Sequence, residues 1–395
     1  MIFESIRTQF PFLEEVTYFD SASVSPPPRT TLDAMLDYYL HNPYNYGVGN
    51  FEGAEKVRDE VDNVRSILRR YLHGNQDDEV VFTKNTTEAI NILANGIRFN
   101  SGDEIILSDL EHQSNLIPWF RLQDRENVKV KIVKSGANGI IDPSELRKLI
   151  SNKTRIIGVT HVSNLYGSVQ PIEEIGEVAK ESGIMYFVDA AQSLGRVNTE
   201  INKVNCDFMA ICGRKGLLGP QGTGALYAKK GVLDKLEPTI VGSRGANIDP
   251  SYSIKYLPPP QRFESGVLNT AGIIGLGTSV EFLRKLGQSK IETAIHELTA
   301  KMLDGLHSIK GVTIYKEPPL EESAGIVSWN LSGLRSFKLS KRLYSDHKIA
   351  VASGAQGSSV GLKDLGIEDV VRTSVHFFNS EEDIDLLIKS VKSLA

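Results

Sequence analysis

The chain has 395 residues, with 44 Lys and Arg against 49 Asp and Glu, for a formal net charge of −5. A composition of 41% hydrophobic and 24% charged residues is that of a folded globular protein of two or three domains' worth of chain, which excludes wholesale disorder. The acidic balance speaks against a whole-protein nucleic-acid or membrane-surface binder, and no apolar run reaches the roughly 18 residues a spanning helix needs. The opening residues lack the basic and apolar regions of a signal peptide. Cys206 and Cys212 are too few for a disulfide framework, so a cytoplasmic location is expected.

Short apolar runs predict strands at 79–82, 104–107, 128–132, 155–159, 184–188, 208–211 and 224–227. Helices are predicted between them at 87–97, 143–150 and 172–181; the second has Asp142 as N-cap, Pro143 at its first position and Glu145 at its third. This alternation predicts an α/β domain around a mostly parallel seven-stranded sheet. Residues 242–262 read as loop. Helices at 271–286 and 290–309 follow, then strands at 312–314, 326–329 and 370–373 and a final helix at 381–393. The expected division is a large domain over 15–284 and a smaller α+β domain over 285–395, with residues 1–14 packing on the latter.

Parallel sheets place ligands at the carboxyl ends of their strands, and four polar stretches lie there. Asn85, Thr86 and Thr87 open a helix just after a strand, where backbone N–H groups and hydroxyls suit an anion; an ordinary cap by Asn85 is compatible with that use. Asn164, in the stretch 160–167, either faces a ligand or stabilises its own loop. Asp189 ends an apolar strand and is followed by Ala190, Ala191 and Gln192; it is a cofactor-facing carboxylate or a turn cap. No His or Cys cluster with ligand spacing accompanies it, so no metal is expected. Lys215 follows another strand inside a glycine-rich turn, which suits a desolvated nucleophile, or else a solvated loop lysine. The order Gly-x4-Gly-Lys-Ser/Thr of a P-loop is absent.

Taken together, a phosphate cradle, an Asp at a strand end and a lysine after a later strand are the parts that a pyridoxal phosphate (PLP) enzyme needs. The sequence resembles fold type I PLP enzymes, specifically the class V aminotransferase family and within it the cysteine desulfurase and selenocysteine lyase branch. The resemblance runs through Tyr18-Phe19-Asp20-Ser21-Ala22, Asn85 to Asn91, Glu111 to Trp119, His161 to Gly167, Asp189 to Gln192, Arg262 to Gly266, Asn269-Thr270 and Val371 to Ser374. It implies that Lys215 carries the cofactor as a Schiff base and moves protons, and that His112 stacks on the ring. It further implies that Asp189 pairs with the ring nitrogen, that Asn164 and Gln192 lie near the ring oxygen and the substrate, that Thr86 and Thr87 hold the phosphate, and that Arg372 binds the substrate's carboxylate.

Three departures stand out. The stretch 349–359, where desulfurases of this branch carry a sulfur-accepting cysteine on a mobile loop, has none. Arg214 precedes Lys215 where the family has His, as in some C–S lyase-like and epimerase-like relatives, and Cys212 stands where a phosphate-binding Ser is common. Val267 replaces the Thr that reaches a partner subunit's phosphate, a contact for which Arg214 would compensate. The expected function is amino-acid chemistry of the C–S lyase or desulfurase type, with a class V aminotransferase, an epimerase or a non-catalytic scaffold as alternatives. A homodimer is expected, with residues 42–49 and 266–270 near the partner's site; a sulfur-acceptor protein is not identified by the sequence.

Overall fold

The computed structural model describes residues 4–47 and 49–395; Val48, within the expected partner-facing stretch, and residues 1–3 lie outside the described residues. In chain order the strands are β1 (Thr17–Phe19), β2 (Glu79–Thr83), β3 (Glu104–Ser108), β4 (Lys129–Val133), β5 (Thr154–Thr160), β6 (Met185–Asp189), β7 (Phe208–Cys212), β8 (Gly224–Ala228), β9 (Ala246–Ile248), β10 (Ile254–Tyr256), β11 (Val312–Ile314), β12 (Ile326–Leu331), β13 (Ile349–Gly354) and β14 (Val370–Ser374). The helices are α1 (Arg29–His41), α2 (Glu52–Tyr71), α3 (Thr86–Gly96), α4 (Ile117–Glu126), α5 (Pro143–Leu149), α6 (Ile172–Glu181), α7 (Ile201–Val204), α8 (Thr270–Leu286), α9 (Gln288–His307), α10 (Ser336–His347), α11 (Ser359–Asp364) and α12 (Glu381–Leu394).

Seven strands form one sheet in the order β2-β8-β7-β6-β5-β3-β4, parallel throughout except for β8, which runs antiparallel to both neighbours. Successive strand residues point to opposite faces, and here both faces are buried. Val80, Phe82, Ile106, Ile157, Val188 and Ile211 enter one apolar cluster, while Val81, Ile105, Leu107, Ile156, Phe187 and Ala210 enter another. Helices α2, α6 and α8 pack into the first cluster, and α3 and α4 into the second. This sandwich aligns the carboxyl ends of β5, β6 and β7 along one edge. Thr160 pairs with Asp189, and Asp189 with Ala210.

A second sheet of five strands has the order β1-β13-β14-β12-β11 and is antiparallel except where β1 meets β13. Thr17–Phe19 therefore belongs to the second sheet, although it lies inside the first span of the expected division; Tyr18 pairs with Ala350 and covers the edge of β13. The chain preceding β1 also meets this body. Arg7 donates to Asp383 at 2.7 Å, and the Phe10 ring sits 5.2 Å from that of Phe378.

Two stretches differ from their sequence reading. Residues 242–262 contain the hairpin β9–β10, whose turn is organised by Asp249, its Oδ1 accepting from the Ser251 and Ser253 N–H groups. The stretch 349–359 is not one long loop: it is strand β13, a short turn and the start of α11, because Ala352, Ser353 and Gly354 pair with β14. No helix among the described residues is long and apolar enough to cross a membrane.

Candidate active site

The carboxyl ends of β5, β6 and β7, the start of α3 and the turn after β7 enclose one cleft. At its α3 end the cap and the anion cradle coexist. Asn85 Oδ1 accepts from the Glu88 N–H at 2.9 Å, Thr87 donates to Ser114 Oγ at 2.9 Å, and Thr86 Oγ1 is buried without a protein partner. The helix end adds its positive dipole.

Asp189 closes β6, and its Oδ1 accepts from the Ala191 N–H at 2.9 Å. Burial raises its pKa, partly offset by that hydrogen bond and by Lys215. Gln192 donates to the Ala22 carbonyl at 2.9 Å, leaving its own Oε1 buried and unpartnered. After β7 the chain turns through Gly213–Gly219, closed by the Gly219 N–H donating to the Gly213 carbonyl at 2.7 Å. Lys215 projects from this turn. Burial depresses its pKa, with Arg214 and Arg372 adding to the effect and Cys212 and Asp189 opposing it. Arg214 lines the same cleft, with Nη1 3.7 Å from Cys212 Sγ, and forms no ion pair among the described residues.

His112 covers the cleft. Its Nδ1 accepts from the Ser114 N–H at 3.0 Å, so the neutral ring carries its proton on Nε2. Burial and the cations Lys215, Arg372 and Arg214 push its pKa down to about 4. The roof is completed by the turn after β13: Asn164 donates to the Gln356 carbonyl at 2.8 Å and accepts from Ser358 Oγ at 2.9 Å, and the Gln113 N–H donates to the Gly357 carbonyl at 2.8 Å. The Asn164 amide thus stabilises this roof while also lining the cleft.

Arg372 is the one expected site residue that does not line the cleft wall. It stands behind Asn164, 3% exposed, donating to the Asn164 carbonyl at 2.9 Å, to Asp20 at 3.2 Å and to Ser23 Oγ at 2.7 Å. The other expected residues, Thr86, Thr87, His112, Asn164, Asp189, Gln192, Arg214 and Lys215, meet in the cleft. Ser114 and Thr160 also line it, and Asp20 and Ser23 hold Arg372; the sequence reading assigned these four no role. All but Ser23 lie within stretches that it singled out, so their signal was position rather than residue type.

Buried oxygens without partners at Thr86 and Gln192, a carboxylate at one end and cationic Arg214 beside a helix N-terminus suit a ligand with a phosphate and a polar ring. A model of the family described as aminotransferase class-V matches residues 17–387. A probable cysteine desulfurase of Methanothermobacter thermautotrophicus is 36% identical over 99% of this chain and 98% of its own length. The apo structure of a cysteine desulfurase from Thermococcus onnurineus NA1 is 34% identical, with a TM-score of 0.94 over 99% of this chain and 97% of that one. A cysteine desulfurase from Escherichia coli is 26% identical, with a TM-score of 0.90 over 98% and 97%. With a family match across nearly its whole length and a fold that superposes end to end, the chain belongs to the class-V aminotransferase family.

Proposed function

We propose that the protein is a PLP-dependent enzyme that breaks the C–S bond of cysteine or a similar β-thio amino acid without a persulfide on its roof turn. One observation carries this reading: Lys215, Asp189, the Thr86–Thr87 helix end and Arg214 surround a single cleft. When bound there, PLP supplies an electron-accepting ring that stabilises negative charge at the substrate's α-carbon. Thr86, Thr87 and Arg214 would hold its phosphate, Asp189 its ring nitrogen and Gln192 its ring oxygen.

Lys215 is the residue that attaches the cofactor and then moves the substrate's α-proton. Its depressed pKa increases the neutral amine fraction that both tasks need. Arg372 offers a forked donor to the substrate's carboxylate, displacing or sharing Asp20 and Ser23. His112, kept neutral and fixed through Nδ1, gives the cleft a flat wall with one outward donor.

The fate of sulfur follows from where thiols lie. The roof turn has none, and Cys212 is buried at a strand end beside Arg214. A serine hydroxyl cannot replace a thiolate as the attacking group. The C–S electron pair therefore departs on sulfur. Cysteine and water yield pyruvate, ammonia and hydrogen sulfide, a balanced elimination and hydrolysis with no external oxidant. The experiment is product analysis with L-cysteine, in the wild type and in Cys206→Ala and Cys212→Ala, singly and together. Equal pyruvate and sulfide without a protein-bound sulfur adduct supports elimination. Alanine with an adduct on Cys212 contradicts it, and oxo-acid-dependent amino transfer without sulfide selects the aminotransferase reading.

We also infer a homodimer in the cytoplasm. The support is an uncovered apolar face: Leu36 and Leu40 of α1 are 55% and 64% exposed, and Val267, within the stretch 266–270, is 77% exposed. Exposed apolar patches of this kind mark association surfaces. Two buried, unpaired cysteines suit a reducing compartment.

A further inference from the structure

Four consecutive backbone carbonyls in the lysine turn each have an assigned donor. Gly213 accepts from the Gly219 N–H at 2.7 Å, Arg214 from the Ser25 N–H at 2.9 Å, Lys215 from the Leu218 N–H at 3.0 Å, and Gly216 from His376 Nε2 at 3.2 Å. Only the last donor is a side chain, and it comes from the segment just after β14, the strand that carries Arg372.

The His376 ring has its protonation dictated locally. Nδ1 accepts from the Phe377 N–H at 3.0 Å, so the single proton of the neutral ring sits on Nε2 and points at Gly216. The ring is wholly buried and lies flat on Phe378, with centroids 5.2 Å apart and planes within 5°. Burial, reinforced by the nearby Arg196 cation, holds its pKa well below the usual range, so it stays a neutral donor.

The other side of the same peptide is closed by backbone. A Cβ on Gly195 would lie 1.9 Å from the Gly216 carbonyl oxygen, and one on Gly216 would lie 2.3 Å from the Leu194 carbonyl oxygen. Arg196 then reaches the small body, donating to the Val375 carbonyl at 2.6 Å and the Ala324 carbonyl at 3.2 Å. The Gly216 carbonyl is thus approached closely from one side by residues 194–195 and hydrogen-bonded from the other by His376, just beyond β14.

We propose that His376 is a positioning residue: by donating to the Gly216 carbonyl it locks the Lys215 turn to the strand bearing Arg372, so that lysine and arginine keep one spacing. The proposal rests on the reading of Lys215 as the cofactor-bearing lysine. A residue that merely filled space would need the ring but not its donor.

The test uses the full chain with His376→Phe, which keeps a ring against Phe378 and removes the donor, and His376→Gln, which keeps an N–H donor. In cofactor-free protein, hydrogen exchange over residues 214–219 should quicken about tenfold in His376→Phe, the worth of one ordinary hydrogen bond. It should stay near wild type in His376→Gln. In PLP-loaded protein, His376→Phe should shift the pH midpoint of the cofactor's visible band and lower kcat about tenfold, while KM stays within about twofold. Wild-type exchange in His376→Phe, or equal acceleration in both variants, overturns the proposal. A measurement needing no variant stands beside these: with 15N-labelled histidine, His376 should show the Nε2–H tautomer from pH 5 to 8, and the Nδ1–H tautomer would refute it. Borohydride reduction and peptide mapping of the wild type report on Lys215 itself, so failure of that reading is seen separately.

Discussion

The Arg372 guanidinium donates to the backbone carbonyl of Asn164 at 2.9 Å, while the Asn164 side chain holds the turn that roofs the cleft. The arginine proposed to take the substrate's carboxylate is therefore built into the same unit as the roof. Asn164 occupies its Nη1, and Asp20 and Ser23 its Nη2, so the fork is held in place and an incoming carboxylate has to share or displace these partners. Arg372→Lys should raise KM for the amino acid by about tenfold or more, because an ammonium cannot form two parallel bonds. Steady-state kinetics decide this. An unchanged KM would remove Arg372 from substrate binding.

Gly357 lies at φ +70°, and a Cβ there would come within 2.3 Å of His112 Nε2. A side chain at this position pays twice, in backbone strain and in overlap with the ring. Gly357→Ala should destabilise the protein by roughly 1 kcal/mol or more and weaken PLP binding by displacing His112 or lifting the turn. Thermal unfolding and a cofactor titration check both effects; a variant matching wild type in both would show that the roof has slack.

His161 sits 4% exposed with Nδ1 unpartnered, and burial lowers its pKa to about 3. The unfolded chain takes up this proton near pH 6.5, the folded chain only near pH 3. The unfolded state thus binds more protons on acidification. This contribution to stability is complete above about pH 6.5 and declines as pH falls, by roughly 2 kcal/mol between pH 7.5 and 5. Buried Glu111 and Asp189, whose raised pKa values act with the opposite sign, are common to wild type and variant and cancel in the comparison. Denaturant unfolding at the two pH values should show wild type losing about 2 kcal/mol more than His161→Asn. Equal losses would contradict the buried neutral histidine.

Leu36 and Leu40 lie one helical turn apart on the uncovered face of α1. Light scattering should give twice the chain mass for wild type, and Leu36→Glu with Leu40→Glu should shift it toward the single chain. A wild-type monomer with full activity at low concentration would end the homodimer reading.

The strand end that carries Asp189 and the one that leads into the Lys215 turn were legible because an apolar run followed by small polar residues has few other uses in a parallel sheet. The same logic placed Asn85 correctly as a helix cap. Strand β13 was not legible: Ile349-Ala350-Val351-Ala352-Ser353 carries little apolar bulk, and its identity comes from β1 and β14 pairing on either side. The partners of Arg372 were illegible for a similar reason. Asp20 and Ser23 lie about 350 residues away in sequence and meet it only because β1 joins the second sheet. The hairpin β9–β10 was hidden because each strand is only three residues long, too short for its apolar-polar alternation to stand out as a periodic signal.

The most direct test of the account is borohydride reduction of the PLP-loaded protein followed by peptide mapping, on wild type and on Lys215→Ala. Lys215 is the lysine in the cleft that also holds Asp189 and the Thr86–Thr87 helix end. The account predicts a single reduced cofactor adduct, located on Lys215, and its complete loss in the variant with the fold retained. An adduct on another lysine, or an adduct of equal yield in Lys215→Ala, would contradict it.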